Sequence, residues 1–417
     1  MSRPMKNSGV EWIGEIPEGW DVVKLKTQGT FYSAGVDKKI RENEDLYKSV
    51  HYTDVYYNSI GKIKNSDNYL VISATKEKAE KSNLIKGDVL FTTSSETPED
   101  IGHSTVVEED LINTLMGYHL IRFRASIPYV LEFEKYQFGS NHMRRWFAFR
   151  ANGMTRYGLR GVDFLEAPYI KIPIPEQQKI ADFLDEKTTK INDIIANTKQ
   201  SIIELKKYKQ ALVTETVTKG LNPDVKMMDS GIKWIGEIPK HWRCTKIRNL
   251  CYLQSGKNLT SEEIEPEGLF PVYGGNGIRG YYHTFNRDGY HILIGRQGAL
   301  CGNINLARGK FWATEHAIVV DNKGFTDVTY FSYLLQSMNL NQYSQTAAQP
   351  GLAVGQINNL KTILPPIKEQ QEIADFLDEK CAHIDSLSAD KEKLISEFED
   401  YKKALIYEYV TGKKEVE

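Results

Sequence analysis

At 417 residues, with 53 Lys and Arg against 55 Asp and Glu, the chain has a formal net charge of −2. That length corresponds to about two to four domains of roughly 100–200 residues, each of which can bury its own core. A content of 41% hydrophobic and 26% charged residues excludes disorder throughout the chain, and no apolar run approaches the roughly 20 residues that span a bilayer.

The first predicted element is a head segment, residues 8–17, which recurs at 230–239, 222 residues later. A second segment, residues 180–187, recurs unchanged at 373–380, but 193 residues later. The chain is therefore a tandem duplication in which the first copy holds 29 more residues than the second between its head and its tail. Either the divergent middles have drifted, or the similar ends face a common partner while the middles face different targets.

The first middle is predicted to be mixed α/β, with strands at 89–92 and 119–123. Between Glu134 and Asp163 it has no acidic residue, and aromatic residues are interspersed with six basic ones. Arginine-rich segments with aromatic residues suit phosphate contacts and guanine readout, although a solvated basic face is the plainer alternative. The six basic residues are Lys135, Arg144, Arg145, Arg150, Arg156 and Arg160.

Each copy ends in a long amphipathic helix, the first predicted from Glu176 to about Lys219. Prolines precede both helices, and Gly220 and Gly412 are the predicted C-terminal stops. A helix with one apolar stripe must bury it, so we expect the two stripes to pair antiparallel about a pseudo-twofold axis; a helical hairpin inside one compact domain is the alternative. The predicted seam consists of Ile180, Leu184, Ile191, Ile194, Leu205, Leu212, Ile373, Leu377, Ile384, Leu387, Phe398 and Leu405.

The second middle is predicted to contain strands at 290–294 and 317–320 and a glycine-rich loop at 273–277. Residues 268–314 hold five basic residues against Asp288 alone, whereas the second tail helix is acidic. The near-zero net charge therefore averages basic middles with an acidic helix, and it does not exclude a nucleic-acid partner. The five basic residues are Arg279, Arg287, Arg296, Arg308 and Lys310.

Sequence patterns typical of catalysis are missing. Residues 275–280 fit G-x-G-x-x-G, but 281–285 look extended, whereas a dinucleotide site needs a helix there. There is no G-x-x-x-x-G-K-[ST] segment, no [ND]PP[YF] tetrad as used by amino-methyltransferases, and no histidine spacing for a metal. The four Cys form no CxxC pair, which fits a reducing cytoplasm. We therefore predict a protein that is not an enzyme and holds no cofactor or metal.

The repeated heads, the prolines before each helix, the repeated tails and the closing segment 211–220 resemble the specificity subunit of type I restriction–modification systems. The resemblance implies two α/β target recognition domains separated by two long helices packed as an antiparallel coiled coil. It also implies that each recognition domain reads one half of a bipartite, asymmetric site in double-stranded DNA. Two methyltransferase subunits and motor-nuclease subunits would be the partners in a prokaryotic cytoplasm, with no membrane involved. S-adenosylmethionine, ATP and Mg²⁺ would belong to those partners.

On this resemblance, the recognition domains span 1–172 and 223–365, and the helical spacers span 173–222 and 366–417. In the second middle a strand runs into a polar loop with glycines, where Arg296 and Gln297 would contact guanine and adenine while Lys257 and Arg308 hold phosphates. In the first middle residues 91–96 take that place without an arginine, so base contacts are expected from the basic stretch. The predicted DNA contacts are Thr93, Ser94, Arg144, Arg145, Arg150, Arg156, Arg160, Lys257, Asn276, Arg279, Arg296, Gln297 and Arg308.

Two other classes of function stay open. A scaffold that binds protein partners without reading DNA would lack salt-dependent, sequence-selective binding to DNA. A fused methyltransferase would modify DNA without a partner, and the missing tetrad argues against it.

Overall fold

The computed structural model describes residues 3–298, 300–344 and 351–416, so the outermost residues of the first and last predicted domains, 1–2 and 417, lie outside it. The chain divides into two compact units, one of Met1–Asn197 with Leu394–Glu417 and one of Thr198–Lys393. Each unit contains one head, one middle and part of each long helix. The mixed α/β class with two long helices is confirmed, whereas the domain boundaries predicted at 172, 222 and 365 stay predictions.

The first unit is built on a five-stranded sheet with smaller sheets around it. Its strands are β1 Met5–Asn7, β2 Glu15–Pro17, β3 Asp21–Lys24, β4 Gly29–Tyr32, β5 Asp45–Val50, β6 Lys62–Ile63, β7 Leu70–Ala74, β8 Val89–Thr92, β9 Ser94–Ser95, β10 Ser104–Val107, β11 Thr114–Met116, β12 Leu120–Ala125, β13 Asn152–Gly153, β14 Tyr157–Gly158 and β15 Pro168–Lys171. Its helices are α1 Tyr52–Tyr56, α2 Lys76–Ser82, α3 Leu131–Gly139, α4 Asn141–Arg150, α5 Gly161–Leu165 and the first part of α6 Ile174–Lys219. The large sheet has the order β4-β12-β8-β10-β6, and a three-stranded sheet has the order β13-β14-β9.

The second unit is built on a four-stranded antiparallel sheet. Its strands are β16 Met227–Asp229, β17 Glu237–Pro239, β18 Arg243–Lys246, β19 Cys251–Ser255, β20 Phe270–Gly274, β21 Gly277–Tyr282, β22 Tyr290–Gly295, β23 Ile304–Arg308, β24 Trp312–Ala313, β25 Ala317–Asn322 and β26 Lys361–Leu364. Its helices are α7 Ile247–Leu250, α8 Val328–Ser337, α9 Val354–Asn359 and the first part of α10 Ile367–Val410. The large sheet has the order β19-β25-β22-β23, beside a sheet of order β21-β20-β24.

The four strands predicted from apolar runs are all present. Residues 89–92 form β8 and 119–123 fall largely in β12, which pairs with β8 antiparallel. Residues 290–294 and 317–320 fall in β22 and β25, which pair in the same way. These strands are mostly buried, which is why they read as apolar runs rather than as alternating patterns. Strand β21 contains the last four residues of the G-x-G-x-x-G segment and the first two of the five residues predicted to be extended after it, and residues 283–285 lie in neither a strand nor a helix.

The head and Trp20, which follows it closely, pack on the start of α6 in the first unit. Trp20 is fully buried, and its indole N–H donates to Glu176 Oε2 at 3.0 Å. The next residue, Gln177, accepts the backbone N–H of Val130 at 2.8 Å and donates to the carbonyl of Ile172 at 2.9 Å. These bonds join the head, the helix and the segment before α3.

The second unit repeats this arrangement atom for atom. The Trp242 indole N–H donates to Glu369 Oε2 at 2.8 Å. Gln370 accepts the backbone N–H of Asp327 at 2.8 Å and donates to the carbonyl of Pro365 at 2.8 Å. Contacts within each unit therefore require the same residues in both copies, which gives a physical reason for the repeat without a common external partner.

The two long helices run antiparallel within the first unit. The rings of Phe183 and Tyr409 are 4.4 Å apart, and Lys402 donates to Asn192 at 2.9 Å, so residue numbers rise along α6 as they fall along α10. In the second unit, Lys209 on α6 donates to a carboxylate of α10 at 2.6 Å. Among the residues that the structure describes, no helix has the length and apolar character to cross a membrane.

Burial agrees with most of the predicted seam. Two predicted members, Ile194 and Leu387, are instead 40% and 38% exposed. Ile195 takes the buried position beside the first, because successive helical residues are about 100° apart and cannot both face the seam. A helical turn takes about 3.6 residues, so Ser388, four positions after Ile384, lies closer to the face of Ile384 than Leu387 does. The buried members are Ile180, Leu184, Ile191, Ile373, Leu377, Ile384 and Leu405, and those of intermediate burial are Leu205, Leu212 and Phe398.

One buried carboxyl makes the stability of the first unit depend on pH. Glu134 on α3 is 3% exposed, and it accepts a hydrogen bond of 2.7 Å from the hydroxyl of Tyr169. Burial raises the pKa of Glu134 from 4.5 to about 8, against the smaller lowering effect of Tyr169. The folded state therefore keeps a proton that the unfolded chain releases between these pH values, and stability falls as the pH rises through this window.

We expect Glu134→Gln to raise the free energy of unfolding at pH 8.5 by about 1–3 kcal/mol, because a neutral amide no longer resists burial. Near pH 5, where Glu134 is protonated in the folded state, the gain should be small. Urea unfolding at the two pH values measures the difference, with the exposed Glu11→Gln as the control. A gain of equal size at both pH values would contradict the assignment.

Candidate nucleic-acid interface

In the second unit, the end of β22 and the start of β25 meet at one edge of the sheet, because the strands are antiparallel. The backbone N–H of Arg296, just after β22, donates to the carbonyl of His316, just before β25, at 2.8 Å. The Arg296 guanidinium donates to Ser255 Oγ at 3.3 Å, and Gln297 Oε1 lies 3.0 Å from His316 Nδ1. The second edge is the name used below for Ser255, Lys257, Asn276, Arg296, Gln297 and His316.

Lys257 and Asn276 reach the second edge from neighbouring loops. Lys257 follows β19 and is exposed. Asn276 lies between β20 and β21, and its Oδ1 accepts from Asn303 Nδ2 at 2.7 Å. A Cβ added to Gly275 would stand 3.3 Å from the carbonyl oxygen of His316, so the hairpin lies against the edge. The second edge thus combines a guanidinium, an ammonium and two side-chain amides.

In the first unit, the end of β8 and the start of β12 meet in the same way. The backbone N–H and the hydroxyl of Thr93 both donate to the carbonyl of His119, at 3.3 and 3.1 Å. Strand β9 pairs with β14, which places Ser94 beside the hairpin whose exposed turn carries Arg156. The Ser94 hydroxyl is buried and has no hydrogen-bond partner within the described part of the chain. The first edge is the name used below for Thr93, Ser94, His119 and Arg156.

The two edges are equivalent by backbone hydrogen bonds. Thr93 takes the place of Arg296, because each donates its N–H to the carbonyl of a histidine that precedes the partner strand. The carbonyls of Thr93 and Arg296 in turn accept the N–H groups of Leu159 and Leu352, both at 2.9 Å. These leucines are 193 residues apart, the offset of the tails. One backbone frame therefore presents different side chains in each unit.

The histidines of the two edges have different electrostatic surroundings. Burial, and then the positive charges of Arg156 and Lys38, lower the pKa of His119. His119 also has a left-handed backbone, with φ of 64°, which is uncommon for a residue with a side chain. His316 instead lies 3.1 Å, through Nε2, from the Glu315 carboxylate. The first edge thus favours a neutral imidazole, whereas the second places its imidazole beside a negative charge.

The basic stretch of the first middle does not form one patch. Arg150 and Arg160 both turn to the buried carboxylate of Asp163, at 2.8 and 3.5 Å. Although burial raises it, hydrogen bonds from Arg160 and Arg150 hold the pKa of Asp163 below its usual value. These two arginines therefore stabilise the fold around α5, a use that local sequence did not reveal.

The other three arginines of the basic stretch lie in different places. Arg144 donates to the carbonyl of Glu99 at 3.0 Å and lies 3.7 Å from Asp100. Arg145 is exposed on α4. Of the five arginines predicted here, Arg156 is the one that the described structure brings to the first edge.

The predicted DNA contacts of the second middle do not all lie at the second edge. Arg308 ends β23 opposite Tyr290, the first residue of β22, and its guanidinium lies 4.2 Å from that ring. It therefore lies at the end of the sheet away from Arg296, which does not favour the predicted role beside it on phosphates. Arg279 is exposed on β21, with its aliphatic part over Gly274.

Sequence analysis missed Lys38 and Ser255. Ser255 reaches the second edge through the pairing of β19 with β25, and Lys38 acts on His119 from a distant segment. Neither lies in a motif, so no sequence signal marks them. Within the described ranges, no three His, Cys, Asp or Glu side chains form a cluster that could hold a metal ion.

The family model for the type I restriction modification DNA specificity domain matches residues 17–205 and 239–396. The chain is 45% identical over 150 residues to the type I restriction enzyme EcoprrI specificity subunit of Escherichia coli, a match that covers 35% of this chain and 34% of that protein. It is 26% identical over 395 residues to the type I restriction enzyme MjaIX specificity subunit of Methanocaldococcus jannaschii, covering 85% of each.

The fold is similar to that of a chain from a structural study of complex assembly and conformational transition in a type I R-M system. The TM-score is 0.74 at 16% sequence identity, and the match covers 96% of this chain and 99% of that one. The similarity therefore includes both units and both long helices.

Proposed function

Since the chain belongs to the family of type I restriction–modification DNA specificity subunits, we propose that its first and second edges read the two halves of a bipartite DNA site. Its role in this family is DNA recognition rather than catalysis. The observation that carries the proposal is the equivalence of the edges: one frame of backbone hydrogen bonds holds Thr93 and Ser94 in one unit and Arg296 and Gln297 in the other. Different side chains on the same frame would select different base sequences, which makes the site asymmetric.

The chemistry of the second edge suits direct readout in the major groove. The fork of Arg296 matches the O6 and N7 acceptors of guanine, and the amide of Gln297 provides a further polar contact. Lys257 would neutralise a phosphate and fix the position of the duplex without reading bases. Ser255 holds one guanidinium nitrogen of Arg296, which limits the rotamers that the arginine must lose on binding.

At the first edge, the side chains at the strand end that would contact bases are smaller and carry hydroxyl groups. The Thr93 hydroxyl, which donates to the carbonyl of His119, can accept from a base, and the Ser94 hydroxyl, buried in the free protein, would have to turn outward to take part. Arg156 supplies from the adjacent hairpin the guanidinium that the strand end lacks. Lys38 and Arg156 together would make this edge attractive to the phosphate backbone.

The remaining parts of the proposal concern partners. The long helices would set the spacing between the half-sites and dock two methyltransferase subunits, with restriction subunits completing the complex. Leu387, exposed on α10, offers apolar surface for such docking. S-adenosylmethionine, ATP and Mg²⁺ would be held by those partners, in line with the missing cofactor motifs.

The test is to express the chain with a type I adenine methyltransferase subunit and to sequence methylated adenines in the host genome. We expect one bipartite, asymmetric motif that disappears without the chain. Methylation by the chain alone would support a fused enzyme instead. Binding to the methyltransferase without any selected DNA motif would support a protein scaffold.

We expect Arg156→Ala to reduce discrimination in the first half-site by about tenfold, since one good guanidinium contact contributes roughly 1–3 kcal/mol. The second half-site should be unaffected. Arg160→Ala is the control, because Arg160 lies close in sequence and is exposed but turns to Asp163. Competition binding with DNA altered in one half-site at a time measures both; equal effects of the two substitutions would contradict the assignment.

A further inference from the structure

We propose that His316 is a positioning residue that orients the side-chain amide of Gln297, so that the second edge reads a base acceptor at this position. The inference depends on the proposed function, because it concerns how one residue of the second edge reads DNA. It differs from the sequence-based expectation, in which Gln297 makes a two-point contact with adenine.

Three side chains form a chain of polar contacts at the start of β25. Glu315 Oε1 lies 3.1 Å from His316 Nε2, and His316 Nδ1 lies 3.0 Å from Gln297 Oε1. The carbonyl of His316 is held at 2.8 Å by the N–H of Arg296. Backbone and side chain of His316 are therefore both fixed, and the imidazole touches the residue that follows the arginine of the second edge.

The donors and acceptors between His316 and Gln297 indicate which end of the Gln297 side-chain amide faces outward. An amide oxygen only accepts hydrogen bonds, so with Gln297 Oε1 3.0 Å from Nδ1 the imidazole is the donor in this contact. With its oxygen directed to His316, Gln297 presents its NH₂ group to the outside.

The outward NH₂ group of Gln297 is a hydrogen-bond donor, so it can bind acceptor atoms on the edges of bases. In the major groove, guanine offers O6 and N7 and thymine offers O4, whereas a two-point contact with adenine needs the amide oxygen as well. His316 thus biases Gln297 against adenine and towards guanine or thymine. At the first edge, the charged groups that act on His119 are Arg156 and Lys38 rather than a carboxylate.

The experiment measures base preference at each position of both half-sites, by selection from randomised DNA with the methyltransferase complex. We expect His316→Leu to reduce the discrimination between guanine or thymine and adenine at one position of the second half-site by about tenfold, the order of one polar contact. His316→Asn should restore it, because the side-chain amide nitrogen of asparagine can stand where Nδ1 stands. Glu315→Gln should change the same position in the same direction.

Two further variants separate this inference from the proposed function. Gln297→Ala should alter the same position, and adding His316→Leu to it should have no further effect, which a merely structural role of His316 would not produce. If Gln297→Ala alters that position but His316→Leu does not, the positioning role is overturned. If Gln297→Ala changes nothing in either half-site, the assignment of Gln297 to base readout fails instead. Unchanged base preference at the other positions of the second half-site shows in each case that the second unit is folded.

Discussion

Trp20→Ala is expected to lower the free energy of unfolding of the first unit by about 3–5 kcal/mol, the range for removing a fully buried aromatic side chain. Trp20 is buried in the core formed by the head and the two long helices. Its loss leaves a cavity and also removes the hydrogen bond to Glu176 at the first turn of α6. The same substitution at Trp242 should have a similar effect on the second unit, because the contact to Glu369 is equivalent.

Urea unfolding followed by circular dichroism measures both effects. Trp20→Phe, which fills most of the space but lacks the N–H, should cost clearly less than Trp20→Ala. Tyr57→Ala, at a side chain that is 77% exposed, is the control and should change the free energy of unfolding by less than about 0.5 kcal/mol. A cost for Trp20→Ala no larger than that of the control would show that the head is not part of the core.

Arg296→Ala is expected to abolish most of the discrimination at one base pair of the second half-site, a loss of about 1–3 kcal/mol or roughly tenfold to a hundredfold in relative affinity. Arg296 is partly buried and held by Ser255, so little entropy is lost when it binds. Because the first edge belongs to the other unit, the first half-site should keep its sequence.

The matched control is Arg308→Ala, at an exposed arginine at the other end of the same sheet. It removes the same charge but should leave base preference unchanged and at most lower affinity uniformly, with a shallower salt dependence. Methylome sequencing of cells that carry each variant provides the readout. An Arg296→Ala motif identical to that of the unaltered chain, or one changed in the first half-site, would refute the assignment.

The structure changes the interpretation of the repeated ends. Similar heads and tails suggested a common external partner, and that partner stays a prediction. Within each unit, however, the repeated Trp and Glu residues bond to each other, as Trp20 and Glu176 do in the first unit and Trp242 and Glu369 in the second, and the repeated Gln binds backbone groups of the same unit. A partner that uses these segments would therefore have to bind the side chains left outside, such as Leu387.

Sequence periodicity predicted the regular elements well because their signals are local. The apolar spacing of α6 and the glycine after it were enough to place its end, where Gly220 adopts φ of 76°. Most of the seam followed from the same spacing. Ile194 and Leu387 were misplaced because a stripe read by threes and fours leaves two adjacent candidates per turn, and packing against the other helix decides between them.

The sequence by itself determined the duplication, the mixed α/β class, the long helices and the strand that leads into Arg296 and Gln297, since each depends on neighbours along the chain. Tertiary structure alone decided which basic residues come together. Arg150 and Arg160 pair with the buried carboxylate of Asp163, and pairing of β9 with β14 brings Arg156 to the first edge. The sequence shows that an arginine is charged but not where its guanidinium points. That orientation is set only when the fold brings a carboxylate or a strand end within hydrogen-bonding distance.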